Sequence, residues 1–309
     1  MQVDILLATY NGEKYLREQI DSILDQTHQD FRLYVRDDCS SDGTPSIIKE
    51  YVAKHPDKIF YLTSEERLGA KGNFSRLLNA SSADYICFAD QDDVWFSNKI
   101  EMTLSTMLEL EIENTKHCPL LVHTDLHVVD ENLNTVHTSF WRYSKLFPRK
   151  SRTLNRLLVQ NVITGCTVMI NRSLARLIKN VPPETIMHDW WMGLVASCFG
   201  LVREVAKPTI YYRQHSNNTI GAKRFGSFRH LKEGIRKLRQ GNDFKRVQAQ
   251  IFYERYKDAL PELHEQMVKK YICMHNMPLW KSRYYIFRHQ LFKNGFLRNL
   301  ATVAFQRVP

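Results

Sequence analysis

The chain has 309 residues, of which 43% are hydrophobic and 25% are charged, a composition typical of a soluble globular protein with a large core. No run reaches the roughly 18 apolar residues of a membrane span, and no signal peptide is expected, because Asp4 interrupts the short apolar run at the N-terminus. The six cysteines are dispersed without a CxxC pair, which disfavours a zinc site or a disulfide framework and favours a reducing cytoplasm.

The net charge of +10 is concentrated in the C-terminal part of the chain. Residues 222–309 contain 19 Lys and Arg but 6 Asp and Glu, a balance of +13, whereas residues 1–221 have a balance of −3. We therefore expect a slightly acidic body at 1–221 and a basic tail at 222–309. The charge of the tail favours an anionic partner, either a membrane surface or a nucleic acid.

Strands and helices alternate in the N-terminal part of the chain. Apolar runs predict four strands, at residues 3–8, 31–35, 59–62 and 85–89. Helical spacing of apolar residues predicts three intervening helices, one through Leu16 and Ile20, one after Thr44 and Pro45, and one over residues 72–78. Thr44 is expected to be an N-cap. This alternation predicts a parallel sheet with helices on both faces.

Polar residues follow three of the predicted strands. They occupy positions 9–11 after the first strand, 37–38 after the second and 90–93 after the fourth. Ligands of such sheets bind at the carboxyl ends of the strands. The sequence therefore predicts a binding site at this edge of the sheet.

Asp90 and Asp92 are separated by one residue, so an extended segment points both side chains the same way. The two charges repel each other, and a divalent cation removes that conflict. Mg²⁺ and Mn²⁺ take hard oxygen ligands while phosphate oxygens fill other positions, which predicts a metal–diphosphate site. The alternative is a solvated acidic turn before the next helix, with Ser97 as its N-cap.

The nucleotide-binding motifs of two common folds are absent. There is no GxGxxG after the first strand and no GxxxxGK[ST] in the chain, which disfavours a dinucleotide-binding Rossmann domain and a P-loop NTPase. A pyrimidine nucleotide remains compatible, because Asp38 can accept a ring N–H while Thr9 and Asn11 add polar contacts. The alternative for residues 37–44 is a hydrophilic turn.

Several segments, taken together, resemble known signatures. Residues 8–12 (ATYNG), 36–44 (RDDCSSDGT) and 90–93 (DQDD) resemble the successive motifs of the inverting GT-A glycosyltransferases of family 2. Residues 164–167 (TGCT), 188–191 (HDWW) and 212–219 (YRQHSNNT) resemble the bacterial rhamnosyltransferase branch. The resemblance covers roughly residues 1–221. Cys39 departs from it, because the family usually has glycine there and the turn must tolerate a side chain.

The resemblance implies a fold and a reaction. The fold is a Rossmann-like GT-A domain, α/β with a mostly parallel sheet, followed by a basic helical region. A Mg²⁺ or Mn²⁺ ion held by Asp92, with Asp90 nearby, would offset the diphosphate charge of a nucleotide-diphospho-sugar. Asp38 would contact the base. Asp189 would be the general base that deprotonates the acceptor hydroxyl, and its alternative is the N-cap of a helix over 190–195.

The resemblance implies further site residues. The donor-binding set is Thr9, Tyr10, Asn11, Asp38, Lys71, Asp90, Gln91 and Arg213, and the metal-binding set is Asp90, Asp92 and His215. Lys71 and Arg213 are expected to pair with phosphate oxygens. Trp190 and Trp191 are expected either to form a sugar-stacking wall for the acceptor or to pack in the core. Asp125 is a further candidate for donor contact.

The rhamnosyltransferase-like motifs favour dTDP-L-rhamnose as donor, with a UDP-sugar as the second choice. The expected acceptor is a glycan or a polyprenyl-linked glycan of cell-surface polysaccharide assembly. Two other classes remain open. A sugar nucleotidyltransferase would need a Gly-rich, basic loop after the first strand, which residues 9–13 lack. A catalytically silent binding module is the other, and the intact carboxylates argue against it.

The basic tail has an amphipathic pattern. Leu231, Ile235 and Leu238 have helical spacing, and residues 284–293 and 296–300 mix aromatic with basic side chains. This pattern favours an anionic membrane surface, which would place the protein at the inner face of the cell membrane, with Arg288, Lys293 and Arg298 at the lipid. The alternative is packing on the body or in a homo-oligomer. Nucleic-acid binding is disfavoured, because no recognised module is present.

Overall fold

The computed structural model describes residues 1–215 and 244–305. The strands are β1 (Val3–Thr9), β2 (Phe31–Asp37), β3 (Ile59–Leu62), β4 (Tyr85–Ala89), β5 (Val94–Trp95), β6 (Leu120–Val129), β7 (Thr135–His137), β8 (Met169–Asn171) and β9 (Leu201–Arg213). The helices of the body are α1 (Leu16–Leu24), α2 (Thr44–Lys54), α3 (Gly69–Ala80), α4 (Lys99–Glu113), α5 (Phe140–Tyr143), α6 (Pro148–Ser151), α7 (Leu154–Leu157), α8 (Arg172–Ile178) and α9 (His188–Phe199). The C-terminal helices are α10 (Phe244–Tyr256), α11 (Glu262–Cys273), α12 (Leu279–Arg288) and α13 (Phe296–Phe305).

The strands form one mixed sheet in the order β3-β2-β1-β4-β8-β6-β9-β5, with β7 paired to β6. The four N-terminal strands are parallel, as the sequence predicts, and β1 lies between β2 and β4. The short β8 is antiparallel to both β4 and β6, and β9 is parallel to β6. The predicted α/β class is confirmed, and the second half of the sheet adds the antiparallel strands.

The sheet has an apolar core on each face. Ile5 and Leu7 of β1 pack on the side of α1, α2 and α4, whereas Leu6 between them packs with α3, α8 and α9. This follows from the alternation of side chains along a strand. The expectation of helices on both faces is therefore correct.

Two predicted helix starts are displaced by one residue. The N-cap of α4 is Asn98 instead of Ser97, and the N-cap of α2 is Gly43 instead of Thr44. The Thr44 hydroxyl is used elsewhere, because it accepts a hydrogen bond of 2.8 Å from the N–H of Gly12. A tertiary contact between two loops therefore takes the place of the expected helix cap.

The C-terminal helices pack on the body through their inner faces. Trp191 of α9 lies with its ring centroid 5.9 Å from Phe252 and 6.0 Å from Tyr256, both of α10. Tyr271 of α11 and Ile286 of α12 are buried in the same core. The expected boundary at 221/222 and the predicted helix through Leu231, Ile235 and Leu238 lie outside the described residues. Within the described ranges, no helix combines the length and the apolar character needed to cross a bilayer.

Candidate active site

The ends of β1 and β4 are joined by the side chain of Gln91. Its Nε2 donates to the carbonyl of Tyr10 across 2.9 Å, and its Oε1 accepts from the N–H of the same residue across 2.7 Å. Gly12 leaves space for this amide, because a Cβ at that position would lie 2.3 Å from Gln91 Oε1. Two segments that sequence reasoning singled out are thus in direct contact.

The loop after β2 binds the loop after β1. Thr9 Oγ1 donates to Asp37 across 2.9 Å, and Asn11 Oδ1 accepts from the N–H of Ser41 across 2.9 Å. Cys39 has a φ of 63°. This left-handed conformation favours glycine, which accounts for the family's preference at this position and shows how the chain accommodates a side chain there.

The carboxylate of Asp38 is buried and hydrogen-bonded. It accepts from the N–H groups of Leu68 and Gly69, each across 2.8 Å, and lies 3.3 Å from the Arg36 guanidinium. These contacts tie the end of β2 to the start of α3. A carboxylate offers about four acceptor positions, so a contact with a base N–H is still compatible with this arrangement.

A group of acidic side chains follows β4. Burial and then the negative charges of Asp92 and Asp189 raise the pKa of Asp90 to about 7. Burial and then the negative charges of Asp92 and Asp90 hold the pKa of Asp93 well above its usual range. Oxygen and sulfur atoms of Asp90, Asp93 and Cys166 lie within 4.8 Å of one another. The buried setting therefore opposes ionisation of these neighbouring carboxyl groups, and a bound cation would favour their ionised forms.

The donor set suits a hard divalent cation. The carboxylates of Asp90 and Asp92 could supply the oxygen ligands that Mg²⁺ or Mn²⁺ prefers. Burial raises the pKa of the Cys166 thiol well above its usual range, so this residue stays protonated and is a poor ligand. The residues present therefore fit an oxygen-coordinated metal better than zinc.

The end of β9 reaches the same site. His215 Nε2 lies 2.8 Å from Asp92 Oδ2, and its imidazole is 5.0 Å from the Tyr15 ring. Arg213 is buried, and its guanidinium donates to the carbonyls of Asp92 and Glu131 and to the carboxylate of Glu18. Protein acceptors thus occupy Arg213, which was expected to bind phosphate. Through the Asp92 carbonyl, Arg213 holds the acidic loop against the end of β9.

Asp189 lies in the first turn of α9, whose N-cap is Met187, so the capping alternative is wrong. Its Oδ1 accepts from the N–H of Trp190 across 2.6 Å, and the nearby Asn161 side chain acts to lower its pKa. Burial raises the pKa of Asp189 to about 6 despite these hydrogen bonds. Its negative charge contributes to the raised pKa of Asp90. A Cβ on Gly165, the neighbour of Cys166, would lie 3.7 Å from the Cβ of Asp189.

The start of α9 is fixed by packing around His188. Its imidazole lies 4.2 Å from the Phe74 ring of α3, and a Cβ on Gly165 would lie 2.6 Å from its Nε2. Burial lowers the pKa of His188 to about 3, so the ring is neutral. The packing of the neutral His188 ring therefore fixes the start of α9 and with it the position of the next residue, Asp189.

For Trp190 and Trp191 the structure agrees with the packing alternative, and the Lys71 ammonium is held by protein carbonyls. Trp191 is fully buried, and Trp190 is 8% exposed and donates from Nε1 to the carbonyl of Leu157 across 2.6 Å, so both are core residues and neither forms an acceptor wall. Lys71 Nζ donates to the carbonyls of Pro183 and Thr185, each across 2.5 Å, which ties α3 to the loop before α9.

Asp125 is likewise structural. Its carboxylate accepts from the hydroxyl of Ser139 and from the N–H of Leu126 and of Trp141. These bonds stabilise the middle of β6 and the start of α5.

Several residues in and around the site were not predicted from the sequence. Asp93 and Cys166 lie within the segments 90–93 and 164–167, but no role was predicted for them. Lys99 is fully buried with its ammonium 3.9 Å from the Trp95 ring, and Gln248 of α10 accepts from the N–H of Ile186 across 2.9 Å. Neither belongs to a local motif. No pattern in the sequence connects Gln248 to a loop 62 positions away.

Comparison with known proteins agrees with this geometry. The sequence profile of glycosyl transferase family 2 matches residues 4–178. The dTDP-rhamnosyl transferase RfbG of Shigella flexneri is 32% identical over 228 residues, which are 70% of this chain and 74% of that protein. The UDP-Glc:alpha-D-GlcNAc-diphosphoundecaprenol beta-1,3-glucosyltransferase WfgD of Escherichia coli is 33% identical over 173 residues, 56% of this chain and 61% of that one.

The fold also matches solved structures. The crystal structure of S. aureus TarS 1-349 in complex with UDP-GlcNAc superposes with a TM-score of 0.56 at 19% identity, over 89% of this chain and 72% of that one. The profile match covers more than half of the chain. The mixed sheet and the acidic loop after β4 agree with that assignment. The chain belongs to glycosyl transferase family 2.

Proposed function

We propose that this enzyme transfers a sugar from a nucleotide-diphospho-sugar to a hydroxyl group, with inversion at the anomeric carbon. The observation that carries the proposal is the acidic group after β4, where burial and then the charges of Asp92 and Asp189 raise the pKa of Asp90 to about 7. Asp90 and Asp92, with His215 beside them, would hold Mg²⁺ or Mn²⁺. When bound, the cation neutralises charge on the leaving diphosphate.

Asp189 is the proposed general base. With a pKa raised to about 6, it is largely ionised near neutral pH and close to the range in which proton transfer is efficient. It takes the proton of the acceptor hydroxyl as the oxygen bonds to the anomeric carbon. The bond from that carbon to the diphosphate oxygen breaks on the opposite face, and the nucleoside diphosphate leaves with both electrons.

The loops after β1 and β2 are the proposed nucleotide-binding elements. Thr9, Tyr10, Asn11 and Asp38 lie on these loops, and Gln91 aligns them with the acidic loop. The Tyr10 ring is partly exposed, with the Arg67 guanidinium 3.9 Å from its centroid. A flat aromatic surface at the edge of the site is suited to stacking against a base.

The favoured donor is dTDP-L-rhamnose, supported by the similarity to RfbG. A UDP-sugar is the second candidate, supported by the similarity to WfgD, a UDP-Glc-dependent glucosyltransferase, and to TarS in complex with UDP-GlcNAc. The proposed acceptor is a glycan or a polyprenyl-linked glycan in cell-surface polysaccharide assembly, since WfgD acts on a diphosphoundecaprenol substrate. Such an acceptor would place the enzyme in the cytoplasm as a peripheral protein at the inner face of the membrane.

A panel of nucleotide sugars tests the proposal. Purified protein is assayed by thermal shift and by donor hydrolysis, with Mg²⁺, with Mn²⁺ and with EDTA. We expect dTDP-L-rhamnose to be hydrolysed, EDTA to abolish turnover, and Asp92→Asn to lower it by roughly two orders of magnitude. Full activity in EDTA would remove the metal from the mechanism. Binding without hydrolysis of any donor would favour a silent binding module.

A further inference from the structure

The outer face of α12 is aromatic. Trp280, Tyr284 and Phe287 are 69%, 60% and 59% exposed. Their spacing of four and three residues places them on one side of the helix, while Ser282 and Ile286 are buried on the other. A helix that packs on a protein body normally presents polar residues to water, so three neighbouring exposed aromatic rings indicate a surface with a partner.

The same region carries only positive side-chain charge. Residues 266–309 contain eight Lys and Arg and no Asp or Glu. Lys281 and Arg288 of α12 are exposed beside the aromatic side chains. Phe296 and Leu300 of α13 are exposed as well, at 78% and 52%. We call the exposed side chains at 280, 281, 284, 287, 288, 296 and 300 the α12–α13 surface.

Two of the basic residues that the sequence assigned to this surface, Lys293 and Arg298, are partly buried instead. The Arg298 guanidinium donates to the carbonyls of Ser144 and Lys145 across 2.9 Å and 3.1 Å. Burial lowers the pKa of the Lys293 ammonium. Of the three residues named from sequence, Arg288 is the one on the exposed face, and the structure adds Lys281.

The α12–α13 corner is attached to the segment that leads to the active site. Asn155 Nδ2 donates to the carbonyl of His289 across 3.0 Å, and Phe147 N–H donates to Asn294 Oδ1 across 2.9 Å. The same segment continues to Asn161, whose side chain lies close enough to Asp189 to lower its pKa. The corner is therefore anchored to the part of the chain that supports the proposed general base.

We propose that the α12–α13 surface docks on an anionic lipid bilayer. Trp and Tyr side chains favour the headgroup region, Phe and Leu insert more deeply, and Lys and Arg pair with lipid phosphates. An acidic protein surface would match the charge, but it would not account for a Trp–Tyr–Phe face beside the cations. The inference depends on the proposed function only for the location of a lipid-linked acceptor.

Trp280 provides a direct readout of docking. The other four tryptophans are at most 8% exposed, so changes in solvent quenching report on Trp280. The full chain is mixed with vesicles of phosphatidylcholine alone or of phosphatidylcholine with phosphatidylglycerol, each with and without brominated acyl chains. We expect binding at least about tenfold stronger to the anionic vesicles, quenching of Trp280 by brominated lipid, and release by salt.

Two variants and two matched controls locate the surface. Lys281→Glu with Arg288→Glu, and Trp280→Ser with Tyr284→Ser, are each expected to weaken vesicle partition at least about tenfold. Lys49→Glu on α2 and Ile112→Ser on α4 change exposed side chains elsewhere and should leave it unchanged. All four should retain wild-type donor hydrolysis and transfer to a soluble glycan, which separates this inference from the proposed function.

Several results would overturn the proposal. These are equal partition to neutral and anionic vesicles, no partition to either, or anionic binding without quenching of Trp280. A dimer in solution that Trp280→Ser with Tyr284→Ser dissociates would assign the surface to a second copy of the chain instead. Each outcome is read from sedimentation, fluorescence or light scattering of the same preparations.

Discussion

His215 donates a hydrogen bond from Nε2 to Oδ2 of Asp92 across 2.8 Å, which links the end of β9 to the acidic loop after β4. The imidazole is held against the Tyr15 ring, at 5.0 Å between centroids. The Asp92 carboxylate is therefore oriented by a residue 123 positions away. Partners of this kind commonly fix the geometry of a metal-binding carboxylate and tune its affinity.

Replacing His215 by Asn is expected to weaken metal binding. We expect the Mn²⁺ concentration required for half-maximal transfer to rise by about 10- to 100-fold, because Asp92 loses its orienting partner or the metal loses a ligand. Titration of activity with Mn²⁺ measures the change. Recovery of wild-type kcat at saturating Mn²⁺ indicates an orienting role, whereas a persistent deficit indicates a ligand. His127→Asn, at a histidine bonded to Thr135, is the matched control.

Asp189 should impose a pH dependence on transfer. Its pKa is raised to about 6, so the carboxylate loses its ability to accept a proton as the pH falls through that value. We expect kcat to rise from pH 5 to pH 7 with a midpoint near 6. Asp189→Asn should lower transfer at least about a hundredfold and leave donor binding close to wild type. Retention of most of the transfer rate by a folded Asn variant would exclude the base assignment.

The bounds of several strands could be predicted from the sequence, whereas the side-chain contacts around the candidate site could not. The strands at 59–62 and 85–89 have the predicted bounds, because an apolar run flanked by polar residues is a local signal. Arg213 was predicted to be a phosphate ligand, but its partners Glu18, in α1, and Glu131 come from distant segments that the sequence does not connect to it. Similarly, no sequence pattern indicates that Phe252 of α10 packs against Trp191.

Removing one carboxylate of the acidic group should stabilise the metal-free protein. Because the pKa of Asp90 is raised to about 7, the folded state binds more protons than the unfolded state between pH 4 and 7, and stability falls as the pH rises through this range. At pH 8 in EDTA, we expect Asp90→Asn to raise the free energy of unfolding by roughly 1–3 kcal/mol. Below pH 4 the difference should vanish.

Denaturant unfolding at the two pH values measures this effect, and exposed Asp57→Asn is the control. Mn²⁺ should raise the Tm of the wild type at pH 8 and have much less effect on Asp90→Asn. Equal stabilisation of both proteins by Mn²⁺ would place the cation away from Asp90.

Gly12 should be coupled to Gln91. A methyl group at residue 12 would lie 2.3 Å from Gln91 Oε1, so Gly12→Ala must displace the amide that pairs with Tyr10. We expect the KM for donor to rise at least about fivefold, because the β1 loop loses its alignment with the acidic loop. The same loss should follow Gln91→Leu. The double variant should be no worse than Gln91→Leu alone, and additive effects would show that the two residues act independently.

Gln248 links the C-terminal helices to the chemistry. Its Oε1 accepts from the N–H of Ile186 across 2.9 Å, and the side chain is almost fully buried, so Gln248→Leu leaves this N–H without its partner. Such a loss costs about 1–3 kcal/mol and loosens the loop that leads into α9 and Asp189. We expect kcat to fall about tenfold with little change in the KM for donor.

The pH profile distinguishes positioning of the base from general destabilisation. If Gln248 positions Asp189, the midpoint of the kcat profile should move in Gln248→Leu, because the burial and hydrogen bonds that set the pKa of Asp189 change with the loop. Gln248→Glu keeps an acceptor oxygen and should restore most of the rate. Gln250→Leu, which breaks a contact with Glu254 on the same helix, should leave both kcat and the midpoint unchanged. An unchanged midpoint in Gln248→Leu would confine the role of α10 to stability.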